Sequence, residues 1–321
     1  MEPQSSYFRD RSFDQVLDDG LKKPPRKKIC GAFLYEDTTT LLFSRTNYGK
    51  SILVFQFAYA AATGTSIDHC SALLNECDPM KVLVVDLELE DRDLAQRHMA
   101  VKNNRNPYLS NLRYLHEKVE NDMQLGFHLL DKIEQAAIQH EAKLVIIDNI
   151  SKLLPDALRP DIATMITSML NKIRKVTNCS ILVIGHTTKG NPLVCIQPTD
   201  YFGSAMLQNF FSELSYLDAT KDGNFFLCHS KTKQKELYNQ TVPVFSRGDH
   251  RIGLGFTFLS LQPLSEIQLP FNLSVKKRSR NMKKFANAIT ALVNAGFSQN
   301  EIAALCDVNK SSISRLLNTL P

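Results

Sequence analysis

A short apolar run, Thr39 to Phe43, gives way to a polar turn and then to Gly49-Lys50-Ser51, after which the chain is apolar again with helical spacing. Strand, turn, Gly-Lys-Ser and amphipathic helix in that order turn backbone N–H groups and the positive end of a helix toward one point, which is a site for phosphate. Read this way, Ser44, Arg45, Thr46, Asn47, Tyr48, Gly49, Lys50 and Ser51 form a phosphate-binding loop. Lys50 reaches the outer phosphates of ATP and the Ser51 hydroxyl holds Mg²⁺. Lys50 is expected to face solvent until a nucleotide arrives. The pattern has Gly at its first position and this chain has Ser44, so the backbone is expected to turn where Gly would do so at least cost. A Gly-Lys-Ser tripeptide also arises by chance, and the rest of the chain must decide.

Three further apolar runs read as buried strands: Lys81–Asp86, Lys143–Asp148 and Ser180–Gly185. Helical patterns at Asp91–Lys102, Asn121–His140 and Pro160–Thr177 separate them. Strands alternating with helices make a doubly wound, mainly parallel α/β sheet, in which ligands sit at the carboxyl ends of the strands. Asp148 closes one such strand and is placed to bind Mg²⁺ through water; Glu88 follows the neighbouring one and is the candidate to orient or deprotonate the attacking water. Glu90 and Asp91 are close alternatives, and an acid after a strand also serves as a helix cap. His186 ends the strand after Asp148, where it can hydrogen-bond a γ-phosphate or play a structural part.

The 321 residues, 43% of them hydrophobic, suffice for one large α/β domain and a small appendage. No apolar run approaches the roughly 20 residues of a membrane span, and the N-terminus lacks a signal-peptide pattern, so a cytoplasmic protein with no membrane partner is expected. Seven scattered cysteines without a CxxC pair suggest neither a disulfide framework nor a zinc site. Residues 1–28, polar and carrying Pro24-Pro25, read as a flexible arm, and 29–265 as the catalytic domain. Short strand candidates at Leu214–Leu217, Phe225–His229, Val242–Phe245 and Gly255–Leu259 extend the sheet as a meander. Residues 266–284 form a basic linker containing Lys276, Lys277, Arg278 and Arg280.

Residues 285–321 read as a small all-α helix-turn-helix unit. Ser298 and Glu301 have capping-box spacing, Asp307-Val308-Asn309 make the turn, and Ile313, Leu316 and Leu317 face inward on the second helix. Lys310, Ser311, Ser312 and Arg315 are left to meet base edges or phosphates in a duplex. This end resembles the DNA-binding part of resolvases and related transposon proteins, with the basic linker lying along the DNA backbone. A helical bundle for protein contacts is the other reading.

The ordered series resembles the RecA-like ATPases, in the branch that holds hexameric replicative helicases of the DnaB and RepA kinds and ATPases of plasmids and mobile elements. The resemblance covers residues 30–260: the phosphate loop, Glu88-Leu89 followed by Leu94 and Arg97, Leu144–Asp148, Ile181–Gly190, Gly203-Ser204, and Lys231-Thr232-Lys233. It implies a RecA-like sheet with flanking helices, ATP and Mg²⁺ as cofactors, and a homo-oligomer such as a hexamer. It also implies that Lys231 and Lys233 reach a neighbouring subunit's nucleotide, although Lys233 stands where an arginine is expected. The loop Thr187–Phe202 corresponds to the family's channel-lining region, so Lys189 would contact phosphates of single-stranded DNA, and Tyr201 or Phe202 would stack on bases. The function implied is an ATP-driven helicase or replication-initiation ATPase. The alternative is a DNA-bound regulatory, partitioning, transposition or recombination accessory ATPase in which ATP controls assembly.

Overall fold

A computed structural model describes residues 10–68, 70–103, 106–116, 123–153, 160–187, 196, 205–234, 237–269, 286–306 and 310–318. Lys189, Tyr201, Phe202, Gly203, Ser204, the basic run with Lys276, Lys277, Arg278 and Arg280, and the turn Asp307-Val308-Asn309 lie outside these residues, as do the side chains of Ser311 and Ser312.

Among the described residues, nine strands form one sheet in the order β3-β2-β4-β5-β1-β6-β7-β8-β9. They are β1 (Thr39–Ser44), β2 (Val82–Asp86), β3 (Leu112–His116), β4 (Leu144–Asp148), β5 (Ser180–His186), β6 (Glu213–Ala219), β7 (Phe225–Lys231), β8 (Thr241–His250) and β9 (Gly253–Pro263). β1 to β6 pair parallel with one another, and β7, β8 and β9 continue the sheet antiparallel. The expected mixed α/β sheet with flanking helices is therefore present. Two strands differ from expectation: β3 is not among the runs read as strands, and β6 pairs parallel to β1 before the antiparallel meander begins.

The α-helices among the described residues are α1 (Phe13–Leu21), α2 (Lys50–Thr63), α3 (Asp91–Asn103), α4 (Met123–His140), α5 (Ile150–Leu153), α6 (Pro160–Thr177), α7 (Ala205–Phe210), α8 (Ala286–Asn294), α9 (Gln299–Leu305) and α10 (Lys310–Leu317). Strand side chains alternate between two faces, so the sheet has two cores. Leu41, Phe43, Val145, Ile147, Ile181 and Val183 meet α4 and α6 on one face. Leu42, Val84, Ile146, Leu182 and Ile184 meet α2 on the other. Burying each such side chain contributes about 1.5–3 kcal/mol, which is why a one-residue slip in any central strand would be disruptive. The helix after the phosphate loop is expected to be amphipathic, and it is not. Every residue of α2 but Ser51 is buried, because β9 and the turn of 3-10 helix Pro107–Asn111 cover the side turned away from the sheet.

The arm expected at 1–28 contains α1, capped by reciprocal hydrogen bonds between Ser12 and Gln15, and none of the helix's residues is buried. Pro24-Pro25 follow its last turn, so they end the helix rather than prevent one. At the other end α8, α9 and α10 share a core of Ile289, Leu292, Ile302, Ala303, Ile313 and Leu316, and Ser298 with Glu301 forms the capping box. Lys310 and Arg315 are exposed on α10. No described helix is long and apolar enough to cross a membrane, and the six described cysteines are free.

Candidate functional site

Parallel strands deliver their carboxyl ends to one edge of the sheet, and there the loops after β1 and β2 meet the ends of β4 and β5. The phosphate loop turns at Asn47 (φ 66°) and at Gly49 (φ 90°), which caps α2. Ser44 does not have positive φ, so the expected difficulty at that position does not arise: the sharp turn falls where Asn and Gly accommodate it. Ser44 is instead a buried strand residue. Its hydroxyl donates to Arg45 O at 2.9 Å, and Thr187 N donates to its carbonyl at 3.2 Å.

Lys50 corrects a second expectation. Its side chain is buried, with 5% of the residue exposed, and Nζ donates to Ser44 O at 3.3 Å, Ser44 Oγ at 3.2 Å and Arg45 O at 3.1 Å. An ammonium has three donors, and the loop accepts from all of them. Burial pulls its pKa down to about 8, against the opposing pull of Asp148 and Glu88.

Asp148 lies beside Asp86 in the register of β4 and β2, and both are buried. Ser51 hydrogen-bonds Asp148, yet Asp148 Oδ1 has no hydrogen-bond partner among the described residues. Burial raises the Asp148 pKa to about 6; Asp86 and Glu88 push the same way, while Ser51 and Lys50 oppose. For both Lys50 and Asp148, desolvation outweighs mutual attraction, so the site holds two charges that each would be better solvated outside. Asp86 Oδ1 accepts from Glu88 N at 3.0 Å and Leu89 N at 2.9 Å, which turns the chain out of β2 and fixes where Glu88 starts.

Glu88 meets a residue that sequence reasoning missed. Asn149, fully buried, donates from Nδ2 to Glu88 Oε1, and the same nitrogen lies 2.9 Å from His186 Nε2. His186 Nε2 itself is 3.6 Å from Glu88 Oε1. One amide thus ties the acid after β2 to the histidine that ends β5. The only sequence signal was its place next to Asp148.

A cleft of about 450 Å³ opens over these groups, lined by Thr46, Asn47, Lys50, Ser51, Glu88 and His186 among others. Glu90 and Asp91 are absent from its lining and border a different hollow with His116. Arg45 enters through its carbonyl, and Tyr48 turns away to meet Phe225 edge-on at 6.0 Å. Arg97 and Arg247 also line the cleft. Arg97 arrives through a kink in α3 at His98, whose ring stacks on Phe55 at 3.5 Å, and Gly253 sits so close that a Cβ there would lie 2.1 Å from Arg97 O.

Lys231 and Lys233 are not in this cleft. Lys231 pairs with Leu214 and Glu213 with Thr40, so both lysines lie at the amino end of β1, one strand length, roughly 17–20 Å, from the loop. Lys231 Nζ donates to Phe211 O at 2.8 Å, and Lys233 N to Glu213 Oε1 at 3.4 Å. Burial lowers the Lys231 pKa, helped by Lys233 and opposed by Glu213.

A family model described as an AAA domain, AAA_25, matches residues 3–192. That is more than half of the chain's 321 residues. The chain belongs to the AAA_25 family. As a member it is a P-loop ATPase domain that binds nucleotide. The AAA_25 match takes in Ser44–Ser51, Glu88, Asp148, Asn149 and His186, and it stops short of Lys231, Lys233, Arg247 and the three C-terminal helices. Among solved structures, the chain is similar to a KaiC-like protein from the hyperthermophilic archaeon Pyrococcus horikoshii OT3. The two are 16% identical, with a TM-score of 0.48, over 72% of this chain and 97% of that one. No curated protein matches the AAA_25 chain.

Proposed function

We propose that the cleft hydrolyses ATP and that the protein couples this to DNA as a ring-forming ATPase of a plasmid, phage or other mobile element, of the helicase or replication-initiation kind. The observation that carries the catalytic part is the convergence of Lys50, Ser51 and Glu88 on one cleft, with Asp148 buried beside them. Lys50 leaves Ser44 Oγ and the two loop carbonyls to meet phosphate oxygens, which offset its charge better than carbonyls do. Ser51 and, through water, Asp148, whose buried Oδ1 has no partner among the described residues, would hold a Mg²⁺, which when bound would offset the phosphate charge. Glu88 accepts the proton of a water whose oxygen bonds to the γ-phosphorus as the bond to the bridging oxygen breaks, giving ADP and phosphate. Asn149 holds Glu88 and His186 at a fixed separation, so a histidine in contact with the γ-phosphate feels the state of the acid.

The DNA part rests on the three C-terminal helices with their own core, read as a helix-turn-helix, and on exposed Lys310 and Arg315. Lys189 and the basic linker belong to the same reading through sequence alone. A second reading, a DNA-bound switch in which ATP governs assembly, is favoured by one contact: Lys231 Nζ is already engaged by Phe211 O of its own chain and must be released before it can serve a neighbour.

Two variants test the proposal. Lys50→Ala should lower ATP hydrolysis more than about tenfold, and wild-type turnover in that variant would remove the catalytic reading. Because Lys50 is buried and bonded to Ser44 and Arg45, nucleotide binding by this variant is measured on protein shown to be folded. Deleting 285–321 should abolish selection of a duplex sequence from a random pool while sparing ATP binding; identical selection by both chains refutes the DNA reading of that unit. Strand displacement on a forked duplex separates the helicase from the switch.

A further inference from the structure

Arg247 enters the cleft from a strand 200 positions away in sequence from the loop it touches. Its Nη1 donates to Asn47 O at 3.0 Å, and its guanidinium carbon lies 4.9 Å from the centre of the Phe225 ring. Phe256 on β9 closes against the same loop: a Cβ on Gly49 would lie 2.9 Å from the Phe256 ring and 3.4 Å from Arg247 Cδ. The β8–β9 hairpin is therefore seated on the phosphate loop. Arg247 itself is exposed and lines the cleft with Lys50, Ser51 and Glu88.

A guanidinium offers five N–H donors in a rigid plane, and the bond to Asn47 uses one. Stacking on Phe225 fixes that plane and leaves its edge for other acceptors. The planar fork suits phosphate, and an arginine bonded to phosphate-loop backbone stands where phosphate oxygens are received. We propose that Arg247 is a phosphate ligand acting in cis, its guanidinium binding an oxygen of the nucleotide held by Lys50 and Ser51 of the same chain. This rests on the reading of the cleft as an ATP site. It also gives that site the arginine that Lys233 does not provide, from the opposite end of the sheet.

The test uses full-length protein and two measurements: equilibrium binding of a fluorescent ATP analogue, and urea unfolding without nucleotide. Arg247→Met keeps an apolar stem over Phe225 and removes the charge, while Arg247→Lys keeps a charge without the fork. Arg247→Met should weaken binding by about tenfold or more, the loss expected for a hydrogen bond to a charged group, with its nucleotide-free unfolding midpoint unchanged, and Arg247→Lys should recover part of the affinity. Binding within twofold of wild type overturns the inference. So does a fall in nucleotide-free stability equal to the loss in binding, since the residue would then only pin Asn47. Mixing Arg247→Met with Lys50→Ala should restore no hydrolysis, because both lesions lie in one cleft; recovery overturns the assignment in cis. A wild-type chain that binds no nucleotide overturns the reading of the cleft itself.

Discussion

Replacing Asp148 by Asn removes a carboxylate that the fold holds at a disadvantage. Its pKa is raised from the ordinary 3.8 to about 6, chiefly by burial. A carboxyl whose folded pKa lies above its unfolded value binds more protons when folded, so apo stability falls as pH rises from about 4 to about 6 and then levels off. The gap of roughly two pH units corresponds to about 3 kcal/mol at neutral pH, an order-of-magnitude figure. Between pH 4.5 and 7.5 about 2 kcal/mol of it develops, since part is already present at the lower value. The Asp148→Asn variant would carry constant costs of its own, among them an amide in a place with an unsatisfied oxygen. A constant cancels when the difference between wild type and variant is followed with pH. Urea unfolding without nucleotide across that range should therefore show wild type losing about 2 kcal/mol relative to the variant. With Mg²⁺ and ATP the order should reverse, because only the carboxylate gains from the cation. A difference that stays flat with pH in nucleotide-free protein would refute the claim that burial dominates at Asp148.

Glu88→Gln should retain ATP binding and lose turnover by about a hundredfold or more, whereas Glu90→Gln should leave both near wild type, as measured by phosphate release; the opposite pattern would move the acid to Glu90. Asn149→Ala should lower turnover while leaving ATP affinity within a few fold, because it acts through Glu88 and His186, and an altered pH–rate profile distinguishes this from loss of fold. If Lys231 and Lys233 serve a neighbouring subunit, mixing either alanine variant with Lys50→Ala should recover hydrolysis; absence of recovery in subunits shown to exchange assigns them to a solvated turn.

The central strands were legible because each is buried on both faces and reads as an unbroken apolar run with a polar residue at its carboxyl end. Parallel pairing then sends those ends to one edge, so Ser51, Glu88, Asp148 and His186 converge without further information. β3 escaped because it is an edge strand only partly buried, with Arg113 and His116 inside it, and its alternation is weak. The alternation also explains the missed Arg247. The expected strand stops at Phe245 and leaves Ser246-Arg247-Gly248-Asp249 unassigned, yet β8 runs on to His250 and pairs with β9 throughout. Once the strand is continued, period 2 places Arg247 on the face of Phe245, which belongs to the core around α2, and α2 begins at the phosphate loop. The register shift between Val244 and Phe245 falls on the partner strand, where Leu259 is skipped in the pairing: one residue more or less there would move Phe256 of β9, and with it the hairpin's seat against Gly49, relative to Arg247. The catalytic edge thus follows from local hydrophobic runs. The hairpin's contribution depends on the length of one strand and the place of one bulge, neither of which composition marks.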